Sequence, residues 1–394
     1  MDAPAPHALE RSSRRREVQA IAALALAAFS LTLNTNVLGA LLPFVRAEVG
    51  GAGGPLLAAA GFGSAVGALL CDRLARRIGR RSALVVGLAG FVAASALHVV
   101  PGSAAWLIAL RAAAGAAVGL AYAAASALVA ELAPYGRRGA AMGRFNAGMF
   151  LAIPVGMPLS VAFAAAGWWR AIFAVQAGIG ALALWWALRA LPSGAPERGR
   201  GALGAVLRNG HAVAGLVATL LHVGSFFVTV QLATTWLDAT GRLSRHDQMP
   251  VWIGLGLAAV AGSALFGRVS DAVGKRRFVL ASSLALVAGF LALAAEPPAA
   301  VLALVGGLVA VVASARTGPL QALVSAAAPA EQLDALMSWR GFFMQAGVGL
   351  FALAAGPLLD GVGFPGVLWL AAGCQAASYA VLWLGLPEPA TPRA

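Results

Sequence analysis

The chain has 394 residues, of which 60% are hydrophobic and only 11% charged, and its mean hydropathy is +0.83. A water-soluble globule carries roughly a quarter charged residues, so the composition excludes one and makes lipid the solvent. The formal net charge of +13 does not imply nucleic acid as a partner, because such a face must be contiguous in water and these charges are divided among short loops between apolar runs.

Apolar runs of about 20 residues cross the hydrocarbon core as helices, since backbone polar groups must be satisfied internally there. After an N-terminal tail, residues 1–18, twelve such runs are predicted at about 19–43, 55–75, 82–100, 104–130, 141–166, 168–190, 211–237, 250–270, 278–296, 299–325, 335–359 and 364–386. Residues 388–394 form a second tail. Cys71 and Cys374 fall in or beside separate spans and imply no disulfide framework.

Span one places Asn34, Thr35 and Asn36 near mid-depth. The loop after span two reads Asp72-Arg73-Leu74-Ala75-Arg76-Arg77-Ile78-Gly79-Arg80-Arg81. Span four carries Arg111, Gly115-x-x-x-Gly119 and Tyr122, and Glu131 follows at its end. An arginine this far inside a span should face the bundle interior or a wet cavity, where carboxylate, carbonyl or water meets it; the alternative is snorkelling to the external interface. Span five holds Gly148, Pro154, Gly156 and Pro158, and its two prolines remove backbone donors and bend the helix. The polar stretch 191–210, with Pro192 and Pro196, reads as a linker.

In span seven His222 is the only central side chain whose ordinary pKa lies near neutrality, which makes it a candidate carrier of a coupled proton. Gln231 follows it, and then the loop Gly267-Arg268-Val269-Ser270-Asp271-Ala272-Val273-Gly274-Lys275-Arg276-Arg277. Arg316 in span ten and Gln345 in span eleven join the polar candidates. Asn34, Asn36, Tyr122, Gln231 and Gln345 are candidate cavity residues, because a substrate can supply the partners that buried amides need; the alternative for each is interhelical glue.

The two loops are a duplication, with Gly79 and Gly274 offset by 195 (274 − 79). The same offset maps span one onto seven, six onto twelve and Asn36 onto Gln231, so the architecture is six plus six. Asp271 can accept charge-assisted hydrogen bonds and Gly274 allows a sharp turn, which together suit a latch that biases one access state. A topology signal in a tight loop is the simpler reading. In the first loop the acid has moved to Asp72, where it can pair with Arg76 four residues on. The gating candidates are therefore Asp72, Arg76, Gly79, Arg80, Arg81, Glu131, Gly267, Asp271, Gly274, Arg276 and Arg277. Basic residues concentrate in alternate loops, which predicts cytoplasmic N- and C-termini by the positive-inside rule.

These loops resemble those of the major facilitator superfamily: the second fits Gly-x-x-x-Asp-x-x-Gly-Lys/Arg-Arg without mismatch. Arg111 with Gly115 and Gly119 resembles its fourth-helix motif, and Gly148 through Pro158, followed by Gly167-Trp168-Trp169-Arg170, resembles the fifth-helix region of bacterial drug and sugar exporters. The resemblance implies an all-α membrane protein of twelve transmembrane helices in two pseudo-symmetric six-helix bundles, 19–190 and 211–387, with the linker 191–210 between them. It further implies a proton-coupled exporter of a small organic molecule working by alternating access in the inner membrane, with Arg111 linked to proton transfer. No Asp or Glu lies centrally in any span, which keeps an uncoupled facilitator or importer as the alternative. A receptor or membrane enzyme would need a reactive constellation that the sequence does not display. No catalytic residue, metal site or cofactor is expected; the expected partners are the substrate, lipid and protons, with no nucleic acid and a monomeric state.

Overall fold

The computed structural model describes residues 15–34, 41, 53–192, 203–240 and 245–388, and among these the chain contains helices and no strand. The elements are α1 (Arg15–Asn34), α2 (Gly53–Ile78), α3 (Arg80–Leu97), α4 (Ala104–Leu132), α5 (Tyr135–Ala165) and α6 (Ala171–Ala190), then the short α7 (Leu203–Leu207). The second set is α8 (Gly210–Thr240), α9 (Arg245–Val273), α10 (Lys275–Ala294), α11 (Ala299–Ser325), α12 (Leu333–Gly361) and α13 (Phe364–Gly385). Among the described residues ten helices are long and apolar enough to cross a membrane. The 26-residue α2 and 31-residue α5 complete the twelve, and both carry charge at the basic-loop end: Asp72, Arg73, Arg76 and Arg77 in α2, Arg137, Arg138 and Arg144 in α5.

Several helices run past the spans expected from hydropathy because helical hydrogen bonding continues through charged residues that sit outside the hydrocarbon. The joints between them are correspondingly short. Gly79 alone separates α2 from α3 and Gly274 alone separates α9 from α10, at φ of 85° and 94°. Only glycine visits that region without steric cost, which explains why both loops keep a glycine at the shared offset. Glu388, just past α13, accepts the backbone N–H groups of Lys275 and Arg276 at 3.3 and 2.6 Å and so caps the start of α10. Asn209 does the same for α8, taking the N–H groups of His211 and Ala212.

In lipid no hydrophobic driving force separates one helix contact from another, so close approach of small residues supplies the packing. A Cβ added to Gly115 would fall 2.2 Å from the Ala60 carbonyl oxygen, and one on Gly119 at 1.9 Å from that of Ser64, so this pair seats α4 on α2. Gly148 seats α5 on Ala25 of α1 in the same way. The prolines expected to bend span five lie within one continuous helix, α5, with Pro154 and Pro158 both inside it. The two six-helix halves meet chiefly through α5 against α9 and α11, and through α12 against α2 and α4.

Candidate functional site

At the end of the bundle that carries the basic loops, α5 and α9 approach through Gly139 and Gly143 on one side and Ser263 and Gly267 on the other. A Cβ on Gly139 would lie 2.5 Å from Asp271 Oδ1. Ser263 Oγ donates to the Gly143 carbonyl at 2.9 Å. Because the backbone is bare here, Asp271 reaches across the seam and accepts the N–H groups of Gly139 and Ala140 at 3.0 and 2.9 Å. The same carboxylate is held by Lys275 Nζ of its own half at 2.8 Å. That ammonium sits 4.2 Å from the Tyr135 ring centroid, and the Tyr135 hydroxyl donates to Glu388 at 3.0 Å. Tyr135 lies outside the membrane-spanning segments; burial and the Glu388 carboxylate push its phenol well above the usual range, so it remains a donor.

A second set of contacts joins the other seam. Arg80 Nε donates to Asp334 Oδ1 of α12 at 2.7 Å, and its Nη1 donates to Glu131 of α4 at 2.8 Å. Asp334 is 6% exposed and Glu131 is 51% exposed, so only the former bond is dry. Asp72 pairs with Arg76 at 2.6 Å, and its backbone N–H donates to Ser338 Oγ of α12. Arg81 donates to the Leu188 carbonyl of α6, and Arg276 to the Leu386 and Trp383 carbonyls, all within their own halves. Arg277 is exposed.

Deeper in the bundle the accounting of charge changes. Among the described residues the buried charged side chains are Asp72, Arg80, Arg111, Lys275, Arg316, Asp334 and Arg340. Asp72, Arg80, Lys275 and Asp334 are ion-paired at the loop end. Arg111, Arg316 and Arg340 face no carboxylate among the described residues. Arg111 donates to Asn34 Oδ1 at 2.8 Å and to its carbonyl at 3.4 Å, so it points inward and meets a neutral acceptor. Arg316 donates to Gln375 and Ser378 of α13 at 3.1 and 2.8 Å. Arg340 of α12 is buried, and its field reaches Tyr122 of α4. Tyr122 donates to Asn146 Oδ1 at 3.1 Å, and Asn146 Nδ2 to Gln321 Oε1 of α11 at 3.0 Å. His222 is buried, with Nε2 3.4 Å from Thr317 Oγ1, and it lies within the field of Arg316 and Arg340.

Of the residues expected to line one cavity, Tyr122 sits in this chain, Asn34 is engaged by Arg111 and Gln345 is half-buried on α12. Asn36 and the side chain of Gln231 lie outside the described residues. In α5, Pro154 packs against Gly256 of α9, Gly156 accepts the Ser160 hydroxyl at 2.6 Å and Pro158 is half-buried. An apolar cavity of about 540 Å³ lies beside Pro154, lined by Phe226, Trp236, Trp252, Phe290 and Phe364 with Ile153 of the other half.

The family model of the Major Facilitator Superfamily matches residues 24–262 and 251–394. The chain belongs to that superfamily. It is 30% identical over 298 residues to a chloramphenicol resistance protein of Streptomyces lividans, covering 72% of this chain and 74% of that one. A probable sugar efflux transporter of Helicobacter acinonychis is 31% identical over 144 residues, 36% of this chain and 37% of the relative. Among solved structures, a major facilitator proton:xylose symporter bound to 6-bromo-6-deoxy-D-glucose superposes with a TM-score of 0.80 at 16% identity, over 95% of this chain and 97% of the other. The human organic anion transporter MFSD10 gives 0.74 at 18% identity, over 94% and 99%.

The fold is thus the twelve-helix major facilitator fold, and this member is a multi-pass membrane protein that carries out secondary active transport. Sequence reasoning passed over Asn146, Gln321, Asp334, Ser338 and Arg340. Asn146, Gln321, Ser338 and Arg340 fall inside the spans drawn from hydropathy, and Asp334 falls one residue before one. Arg340, like Arg111, is a charged residue inside an apolar span, and its cost in lipid is the signal that marks it.

Proposed function

We propose that this transporter is a proton-coupled exporter of a small organic molecule, seated in the bacterial cytoplasmic membrane and alternating access between halves 19–190 and 211–387. In this reading residues 1–18, 191–210 and 388–394 are cytoplasmic, and the chain acts as a monomer. The orientation rests on Arg73, Arg77, Arg137 and Arg277, exposed at the loop end where positive charge is retained inside. The relatives named for drug resistance and sugar efflux support the outward direction.

The observation that carries the reading is the bond from Asp271 to the Gly139 and Ala140 N–H groups. A charged acceptor makes it strong, and its donors are neutral backbone. When the loop end opens, Lys275 keeps the carboxylate neutralised on its own half, so no charge is stranded. A joint of this kind holds one access state firmly yet releases without leaving a carboxylate unpaired, which suits a rocking transporter.

The coupled proton is assigned to His222, which Thr317, Arg316, Gln375 and Arg340 face from α11, α13 and α12. Arg111, with Asn34, is the positioning group of the other half. Chloramphenicol and a panel of sugars, loaded into proteoliposomes, are the substrates to try. Transport that responds to an imposed pH gradient in the wild type, and persists only down the substrate gradient in His222→Gln, is the expected result. A pH-driven component surviving in His222→Gln removes His222 from the pathway. No pH response in the wild type would favour the uncoupled facilitator, a reading supported by the placement of the buried carboxylates Asp72 and Asp334 at the loop end.

A further inference from the structure

We infer that the C-terminal half carries a second binding site, apart from the path between the halves, for a neutral apolar molecule with a hydrogen-bond acceptor such as a carbonyl. The site is the cavity of about 540 Å³ beside Pro154. Its walls come from α8, α9, α10, α11 and α13 at the end of the bundle opposite the basic loops, and Ile153 of α5 is the contribution of the other half. Among the described residues α2, α4 and α12 add nothing to the lining, and neither do His222 and the buried arginines.

The walls are aromatic. Trp236 and Phe364 stack with ring centroids 4.9 Å apart, and Phe226 and Phe290 line the same space. A cavity of this size and lining suits an organic ligand whose orientation is fixed by a few placed polar groups, and two such groups are present. Thr229 is 6% exposed and its Oγ1 has no hydrogen-bond partner. Hydroxyls inside helices can bond the carbonyl four residues back, as Thr219 and Ser225 do in the same helix at 2.9 and 2.6 Å and Thr317 does in α11 at 2.9 Å. Thr229 makes no such bond. Trp252 Nε1 is likewise shielded from solvent and without a partner, and an indole N–H can only donate. Both residues line the cavity. Buried polar groups are ordinarily satisfied. Water would meet these donors but leave the aromatic walls wet, whereas a molecule with an apolar body and a carbonyl satisfies the donors and fills the walls. Among the described lining residues the charged one is Glu296, exposed at the rim, so the interior offers nothing to compensate an ion.

The cavity also bears on the contact between the halves. A Cβ on Gly256, in its wall, would lie 2.6 Å from Pro154 Cδ of α5. A bound molecule therefore stiffens the wall on which α5 is seated, at the end opposite the Asp271 latch, and biases access from there.

The test uses the purified full chain in lipid nanodiscs at equilibrium with no gradient, so a failure of export or of proton coupling leaves its outcome unaffected. The probes are benzophenone, its methylene isostere diphenylmethane and the cation benzyltrimethylammonium, with affinity read from ligand-dependent thermal stabilisation. The ketone should bind about five-fold more tightly than the hydrocarbon although the hydrocarbon is the more apolar. Irradiation then fixes bound benzophenone to neighbouring C–H groups, and peptide mapping should place it on lining residues of α8, α9, α10 or α11. Thr229→Val and Trp252→Phe each remove one donor and keep the side-chain shape; together they should bring the two neutral probes to within about two-fold of each other. Should the double variant fail to fold, the wild-type affinities and the cross-link map decide. Equal affinity for ketone and hydrocarbon in the wild type, tighter binding of the cation than of the ketone, an undiminished ketone preference in the double variant, or cross-links on α2, α4 or α12 overturns the inference.

Discussion

Gly267 and Gly139 face each other so closely that a Cβ on Gly267 would lie 2.6 Å from the Gly139 carbonyl oxygen. The contact explains the first glycine of the second loop motif: its role is to bring the α5 backbone within reach of Asp271. Gly267→Val should therefore wedge the seam, at a cost of about 1–3 kcal/mol for overpacking, and shift the equilibrium towards an open loop end. A reporter cysteine at Ser325, which accepts from Arg138 across the same seam, in a background lacking Cys71 and Cys374, should label several-fold faster. Unchanged labelling would mean that the seam is not what holds this end shut.

Asp271→Asn keeps the shape of the side chain but loses the charge. A hydrogen bond to a charged group contributes about 1.5–3 kcal/mol, so transport should fall roughly ten-fold or more while membrane abundance changes by less than about two-fold. Abundance and activity measured on the same membranes separate the cases. A proportional fall in both would make Asp271 a folding residue.

Arg80 offers an internal comparison between a dry and a wet partner. Removing one member of a buried pair costs about 3–5 kcal/mol because the other is left uncompensated, whereas an exposed pair contributes about 0–1 kcal/mol. Asp334→Asn should lower the melting temperature clearly and Glu131→Gln hardly at all, and Arg80→Gln combined with Asp334→Asn should recover part of the loss of either single variant. Strict additivity in that cycle would rule out the pairing as a source of stability.

Arg111→Ala is expected to abolish transport and Arg111→Lys to retain little, since a point charge cannot serve both the Asn34 side chain and its carbonyl. Asn34→Ala should reproduce most of the Arg111→Lys defect. Wild-type transport in the Lys variant would show that the fork geometry is dispensable.

The fold was legible because lipid leaves few choices: span length, alternate basic loops and a duplicated glycine turn determine twelve helices in two halves. Individual contacts were less so. Asp271 could be recognised as an acceptor, but its donors are backbone N–H groups, and Gly139 and Ala140 carry no side-chain signature of that role. Asn34 is legible as a buried amide from its depth, but not as the acceptor that meets Arg111. Depth follows from position in a span; the direction a side chain faces depends on helix packing that hydropathy does not encode.

Among the described residues the buried guanidiniums of Arg111, Arg316 and Arg340 face no carboxylate, so the charge a cargo carries past them matters. A bacterial membrane is negative inside, and moving one elementary charge through it is worth about 2.3 kcal/mol per 100 mV. A singly charged anion leaving the cell would be assisted by that field, and a cation opposed by it. An inward proton would be assisted too, so one-for-one exchange would carry one charge with a neutral cargo and two with a singly charged anion, and the measured current would report the charge of the cargo.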